Sequence, residues 1–333
     1  MNKVQLYQNG PKMGITLFSL TLEWLSKKYT LAALLHEVSN KKLGPGVELV
    51  GFQSIKGFPI IDTNFAKSFR DTFDKFELIP TCLGLNVDIA LNPKQKLSEN
   101  ELIDYLSVQI KAASILGFSI VRSQMTAKAS IIEKLIPVLE KYNIKLGNEI
   151  HSPYTLSNPD VIQLKEMYDK VQSPYLGYIP DFANSAHRLP AGFLQRYIED
   201  GVPEKLVRLV ESIWYLDLTN FEKFSLLQEE GRKMGGTAAN LGRLNMVLTM
   251  FSRMEPEEWL SIMPQVIHVH GKFYAFDKDG NEPSINYEKL ISVFKDGGYN
   301  GFISSEWEGH IYTDKVSGFE MVSSHHNLCN RYL

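Results

Sequence analysis

The feature that most constrains this chain is an order that repeats along 333 residues: a short apolar run, then a longer amphipathic one. Such alternation is the signature of a parallel sheet covered by its crossover helices. Eight runs read as strands: 12–20 (KMGITLFSL), 46–51 (GVELVG), 78–88 (LIPTCLGLNVD), 119–124 (SIVRSQ), 145–153 (KLGNEIHSP), 174–182 (PYLGYIPDF), 266–274 (VIHVHGKFY) and 301–309 (GFISSEWEG). Helical spacing fills 30–40, 64–76, 99–118, 129–143 and 286–298, with a further helix near the C-terminus. Eight such units predict an α/β chain folded as one (β/α)₈ TIM barrel over residues 1–333. Residues 183–264 are far more than one connecting helix requires. They contain amphipathic stretches such as 203–216 and 238–254, so they read as a helical insertion between strands six and seven, a lid or an assembly surface rather than a separate domain.

Composition excludes several classes of function. Formal net charge is −3, sequence pI is about 6.3, and lysine and arginine are dispersed, so there is no electrostatic footprint for nucleic acid. The N-terminal stretch has no basic segment followed by an apolar core, and no apolar run reaches the length of a membrane helix. The two cysteines, Cys82 and Cys329, give no disulfide framework and fit a reducing, cytoplasmic setting, both as small buried hydrophobes. The glycine-rich run at 231–243 (GRKMGGTAANLGR) follows a helix rather than a strand. It therefore reads as a turn, not a phosphate loop.

Polar residues collect at the strand ends, where a barrel of this kind carries its chemistry. Alternate strand residues point to opposite faces, so Glu149 and His151 share a face while Ile144, Leu146 and Ile150 take the other. The same rule turns Asp181, His268, His270 and Glu306 inward and sends Ile267, Val269 and Ile303 toward the helices. Four consecutive strands thus aim carboxylates and imidazoles at one mouth. Burying them without a cation would be costly, and such oxygen and nitrogen donors suit Mn²⁺, Fe²⁺, Co²⁺ or Zn²⁺ in an open catalytic site. Of the two histidines His270 is preferred as a ligand because it lies nearer the strand end, leaving His268 to pack one layer lower. Gln53, Asn86, Arg122, Gln124 and Lys272 also sit at strand ends, where they can hydrogen-bond a polyhydroxylated ligand, with Lys272 favoured. His36 lies in a helical pattern and His187, His310, His325 and His326 in loops or termini, so none of these is assigned chemistry.

The runs EIH, IPDF, HVHGKFY and GYNGFISSEWEG, in that order, resemble the xylose-isomerase-like TIM barrels that include sugar isomerases and epimerases. GNEIHSPY, SPYLGYIPDF and SSEWEG are more similar to the alpha subunit of bacterial C-glycoside deglycosidases. That resemblance implies a carbon–carbon lyase acting on 3-oxo-C-glycosides, one divalent metal, usually manganese, and a small beta subunit bound to the barrel. Carried over residue by residue, it implies Glu149, Asp181, His270 and Glu306 as metal ligands and His151 as the base. A sugar isomerase or epimerase acting through an enediolate is the alternative.

Overall fold

The structure, a computed structural model, describes residues 10–86, 97–125 and 127–333. The end of the third strand run, at 87–88, and the N-terminal nine residues lie outside the described residues. Eight strands form one parallel sheet: β1 (Lys12–Thr16), β2 (Gly46–Val50), β3 (Ile79–Gly84), β4 (Ile120–Gln124), β5 (Lys145–Ile150), β6 (Leu176–Pro180), β7 (Val269–Phe273) and β8 (Phe302–Trp307). Their spatial order is β6-β5-β4-β3-β2-β1-β8-β7. The remaining seam, between β6 and β7, is closed by single bridges, Tyr178 to Val266 and Asp181 to His270. The chain therefore has the expected (β/α)₈ TIM barrel, with continuous pairing at seven of its eight seams.

The first helices are α1 (Thr21–Leu25), α2 (Leu31–Asn40), α3 (Gly51–Ser54), α4 (Thr63–Lys75), α5 (Glu99–Leu116), α6 (Ala129–Tyr142) and α7 (Pro159–Val171). Local chemistry sets their ends. Asp62 caps α4 by accepting from the N–H groups of Asn64 and Phe65, and Ser98 and Glu101 form a capping box on α5, each satisfying backbone donors that a helix start leaves unpaired. Between β6 and β7 run α8 (Ala191–Glu199), α9 (Glu204–Trp214), α10 (Asn220–Lys233) and α11 (Ala238–Met250). The glycine-rich run forms the end of α10, the turn and the start of α11. After β7 come α12 (Tyr287–Asp296) and α13 (Gly318–Cys329). One continuous apolar core joins the barrel wall to this helical jacket, with Val47, Leu49, Leu83, Val121, Leu146, Val269 and Ile303 all fully buried.

Three expectations change. The first strand run splits: Lys12–Thr16 pairs in the sheet, while Leu17–Leu20 turns into a 3₁₀ helix started by Thr16, whose hydroxyl accepts from Phe18 N–H. Ile267 does not follow the two-residue alternation. A methyl added at Gly147 would fall 3.3 Å from Ile267 Cδ1, and one at Gly177 would fall 2.7 Å from Ile267 Cγ2, so Ile267 packs over glycines of two neighbouring strands. Regular pairing of β7 begins only at Val269, and the alternation rule has no hold on the residues before it. His325 and His326 lie within α13 and are buried, not in a loose terminus.

Candidate metal centre

Each strand delivers its polar residue for a local reason. Glu149 is the fifth residue of β5, facing Gln124 of β4 and Ile179 of β6 across the ladder. Asp181 directly follows β6, where its Oδ1 accepts from the Ala183 N–H at 2.8 Å and opens a short 3₁₀ turn. That bond fixes the carboxylate and leaves Oδ2 without a hydrogen bond. His270 and Lys272 alternate along β7, and Lys272 is paired in register with Glu306 of β8. One donor atom from each of Glu149, Asp181, His270 and Glu306 lies within 4.8 Å of all the others, and all four residues are buried.

The network around these four is dense. His270 Nδ1 is 2.7 Å from Glu149 Oε1 and 3.2 Å from Glu306 Oε2. Lys272 Nζ lies 3.3 Å from Asp181 Oδ2, 3.3 Å from Glu306 Oε2 and 3.2 Å from Glu308 Oε2. Charges shift accordingly. Burial pushes the Glu149 carboxyl up, but the Arg122 guanidinium and His270 outweigh it and hold Glu149 well below the usual range. Burial likewise opposes ionisation of Glu306, yet Lys272 and His270 bring it down to about 2. Asp181 stays above the usual carboxylate value because burial outweighs Lys272 and His151. Burial disfavours a charged His270, but Glu48, Glu306 and Glu149 raise its pKa well above an ordinary imidazole's.

These observations test whether a cation fits. The cluster sets three buried carboxylates around one imidazole and makes that imidazole hold an extra proton. A divalent ion supplies two positive charges in place of that one proton and leaves His270 neutral, the form in which it coordinates. Asp181 Oδ2 and Glu306 Oε2 are buried and meet no well-aligned hydrogen-bond donor, sharing the single Lys272 ammonium at 3.3 Å each. Three carboxylates thus divide few cations among them, a costly arrangement that a bound ion would relieve. Three oxygen donors and one nitrogen form a set suited to an open divalent site. The donor set fits.

The other expected residues are placed differently. His151 immediately follows β5 and is partly exposed. Its Nδ1 is 2.5 Å from the Ser152 carbonyl, and its Nε2 is 3.6 Å from Asp181 Oδ2. Arg122 is buried, with Nη1 donating to Glu149 Oε2 at 2.7 Å and Nε 3.6 Å from Glu48 Oε1. Gly84 gives it room, since a methyl there would fall 2.7 Å from Arg122 Nη2. Asn86 leans on α5, donating to the Tyr105 hydroxyl at 3.3 Å while its backbone N–H donates to Gln109. Gln53 is exposed on α3 and Gln124 is exposed at the end of β4. A cleft of about 720 Å³ lies elsewhere, between the segment from Pro153 to Pro159 and the helical connection, walled by Trp214, Tyr215 and Phe251.

The residue that sequence reasoning missed is Glu48, buried at the centre of β2. Its Oε2 lies 2.9 Å from His268 Nε2 and 3.0 Å from His270 Nε2. A signal was present: a carboxylate inside the apolar run GVELV, on a strand that otherwise reads as wholly buried.

Comparison with known proteins settles the family. The chain is 37% identical over 330 residues to the 3'-dehydrocarminate deglycosidase alpha subunit of a Microbacterium species, covering 96% of this chain and 95% of that protein. It is 35% identical over 326 residues to a C-glycoside deglycosidase alpha subunit of Arthrobacter globiformis, covering 97% of this chain and 92% of the relative. The chain belongs to the C-glycoside deglycosidase alpha-subunit family. No protein-family profile matches it. Among solved structures, an L-ribulose 3-epimerase superposes with a TM-score of 0.57 at 11% identity, covering 97% of this chain and 94% of that one. The IolI protein with a bound zinc atom superposes at 0.56 with 12% identity, covering 97% and 99%. At such identities these two establish the shared barrel alone. Among the described residues no helix is long and apolar enough to cross a membrane.

Proposed function

We propose that this chain is the metal-dependent subunit of a C-glycoside deglycosidase that cleaves 3-oxo-C-glycosides. The observation that carries the reading is the buried Glu149, Asp181, His270 and Glu306 cluster beside a histidine at the end of the same strand as Glu149, in a chain aligned end to end with deglycosidase alpha subunits. Those four residues would hold one divalent ion, Mn²⁺ first and Co²⁺, Fe²⁺ or Zn²⁺ as alternatives. When bound, the ion supplies a Lewis acid to the sugar oxygens beside the ketone.

A carbon–carbon glycosidic bond gains nothing from the protonation of an oxygen, so the two-carboxylate route of ordinary glycosidases does not serve. A ketone at C3 makes the C2 proton acidic. His151 is arranged to take it: its Nδ1–H donates to the Ser152 carbonyl, which leaves Nε2 with the lone pair. The C2–H bond breaks, the proton moves to Nε2, a C1–C2 double bond forms and the bond from C1 to the aglycone breaks. The same imidazolium returns the proton to the departing aglycone carbon, so protons balance without a co-reactant. Asp181 Oδ2, 3.6 Å away, keeps a negative charge beside the imidazolium between those two transfers. Lys272, ringed by Asp181, Glu306 and Glu308, would lie on the sugar side as a hydrogen-bond donor. Arg122 would hold Glu149, since its Nη1 is spent there. The relatives are named alpha subunits, so a second, small beta subunit is part of the reading.

The test is His151→Gln in the assembled enzyme, following solvent-deuterium exchange at C2 of a 3-oxo-C-glucoside in parallel with aglycone release. Metal content is expected to stay unchanged, while both rates fall by the ~10²–10⁴-fold typical of a lost general base. Exchange at the wild-type rate would remove His151 as the base. Exchange without aglycone release in the wild-type assembly would favour the epimerase alternative.

A further inference from the structure

We propose that Glu48 positions His270 for the metal, holding its Nε2–H so that Nδ1 is the atom left to coordinate. The inference rests on the metal reading of the mouth and deepens it. His270 has a carboxylate on each side: Nε2 lies 3.0 and 3.1 Å from the two oxygens of Glu48, while Nδ1 lies 2.7 Å from Glu149 and 3.2 Å from Glu306. Only the Nδ1 side joins the group in which three carboxylates from three strands converge. A neutral imidazole carries one N–H and one lone pair, and the hydrogen bond made by one nitrogen decides which end binds a metal. Glu48 selects Nδ1.

Glu48 is built to hold that position. It is 1% exposed, flanked by the fully buried Val47 and Leu49, and fixed in register between Thr16 of β1 and Cys82 of β3. His268 Nε2 reaches Glu48 Oε2 at 2.9 Å, and Arg122 Nε approaches Oε1 at 3.6 Å. His268, two residues deeper on the chain, thus sets the carboxylate that sets His270.

A rival reading makes Glu48, His268 and His270 a second metal site, because their donor atoms also lie within 4.8 Å of one another. The hydrogen bonding decides against it. Both oxygens of Glu48 already meet ring nitrogens, and neither is among the buried atoms left without a partner. That group is satisfied as it stands, and an ion there would need both histidines to give up the N–H groups that satisfy it.

The experiment is Mn²⁺ titration of the metal-free full chain by calorimetry, comparing wild type with Glu48→Gln and Glu48→Asp. Glutamine keeps the shape but removes the charge that steadies the ring, so Mn²⁺ affinity is expected to fall ~10–100-fold, the usual cost of losing an outer carboxylate. The thermal midpoint of the metal-free protein should fall as well, because Glu48 also pairs with His268 and approaches Arg122. The separate readout for the metal is that the rise on adding Mn²⁺ shrinks relative to each variant's own metal-free midpoint. Aspartate retains the charge one methylene short of Nε2 and should lose less affinity; it carries the test alone if the glutamine variant does not fold. Wild-type Mn²⁺ affinity in the folded variants would overturn the role of Glu48 and leave the metal reading intact. No Mn²⁺ binding by the wild type would instead overturn the metal reading on which this inference rests.

Discussion

Two layers of the same polar interior differ in how completely they are closed. The deeper layer joins Glu48, His268, Arg122 and the Nε2 side of His270, and both oxygens of its one carboxylate meet ring nitrogens, although Arg122 Nε, 3.6 Å from Glu48 Oε1, makes no hydrogen bond. The layer nearer the strand ends joins Glu149, Asp181, Glu306, Lys272 and the Nδ1 side of His270, and there three carboxylates converge, two of them sharing the Lys272 ammonium at 3.3 Å through oxygens that meet no well-aligned donor. Even the two histidines diverge. Burial lowers the pKa of His268 despite Glu48 beside it, whereas three carboxylates raise that of His270. A closed polar layer serves the fold, and an open one of the same residue types is available for a ligand. The contrast matters because a buried ion pair is by itself weak evidence of stability or of function.

The largest expected effect comes from removing the open layer's charge. In the double variant Asp181→Asn, Glu306→Gln, Mn²⁺ binding should disappear in calorimetry, and Asp181→Asn alone should leave the metal-free protein unfolding at the wild-type midpoint or above it, because burial already disfavours that charge. Three like charges sharing one site repel, asparagine can still accept from the Ala183 N–H, and Lys272 keeps Glu308 at 3.2 Å. If Asp181→Asn is strongly destabilised without metal, the open layer carries the fold as well and the contrast fails.

The closed layer should behave in the opposite way. Arg122→Met leaves Glu48 and Glu149 without their guanidinium, and breaking a buried pair by deleting one partner typically costs about 3–5 kcal/mol. Urea unfolding of the metal-free protein measures this. A loss below about 1 kcal/mol would place Arg122 among ordinary surface pairs and make the deeper layer less structural than its bonding indicates.

Legibility in the sequence follows the same division. All eight strands could be read because each is a short apolar run bounded by turn residues. Glu149, Asp181, His270 and Glu306 could be read because they interrupt that apolarity at strand ends. Glu48 was harder because it sits mid-strand, and its reason is a pair of histidines more than 200 positions away. Arg122 could be read as polar but not as occupied, since its partners lie on β2 and β5. Ile267 was misread because strand alternation was extended past the true start of β7. Periodicity reports a face only where the ladder is regular, and no local pattern shows which buried charge already has a partner.

The smallest expected effect separates the charged interior from two imidazoles outside it. His325 stacks on Phe273 at 4.2 Å and approaches the Ser305 hydroxyl through Nδ1, while His326 Nε2–H donates to the Gly14 carbonyl at 3.1 Å. Burial lowers both pKa values, His326 to about 4. The folded protein thus refuses a proton that the unfolded chain accepts near pH 6.5, so stability rises with pH across this window. The contribution of His326 is complete above about pH 6.5 and is lost as pH falls toward about 4, and that of His325 is lost in the same direction. For His326 the shift corresponds to at most roughly 3 kcal/mol. Glu149 and Glu306 are depressed instead, so what they contribute is present above the ordinary glutamate value and is lost only below it, toward about 2 for Glu306. Two acid limbs should therefore be separable in urea midpoints measured from pH 7 to pH 3. His326→Gln, which can still donate to Gly14, should make the upper limb shallower, leaving the share of His325, and leave the lower one in place. If its midpoints fall with pH as the wild type's do between 6.5 and 4, the upper limb does not come from His326, and His325 or the interior charges must account for it.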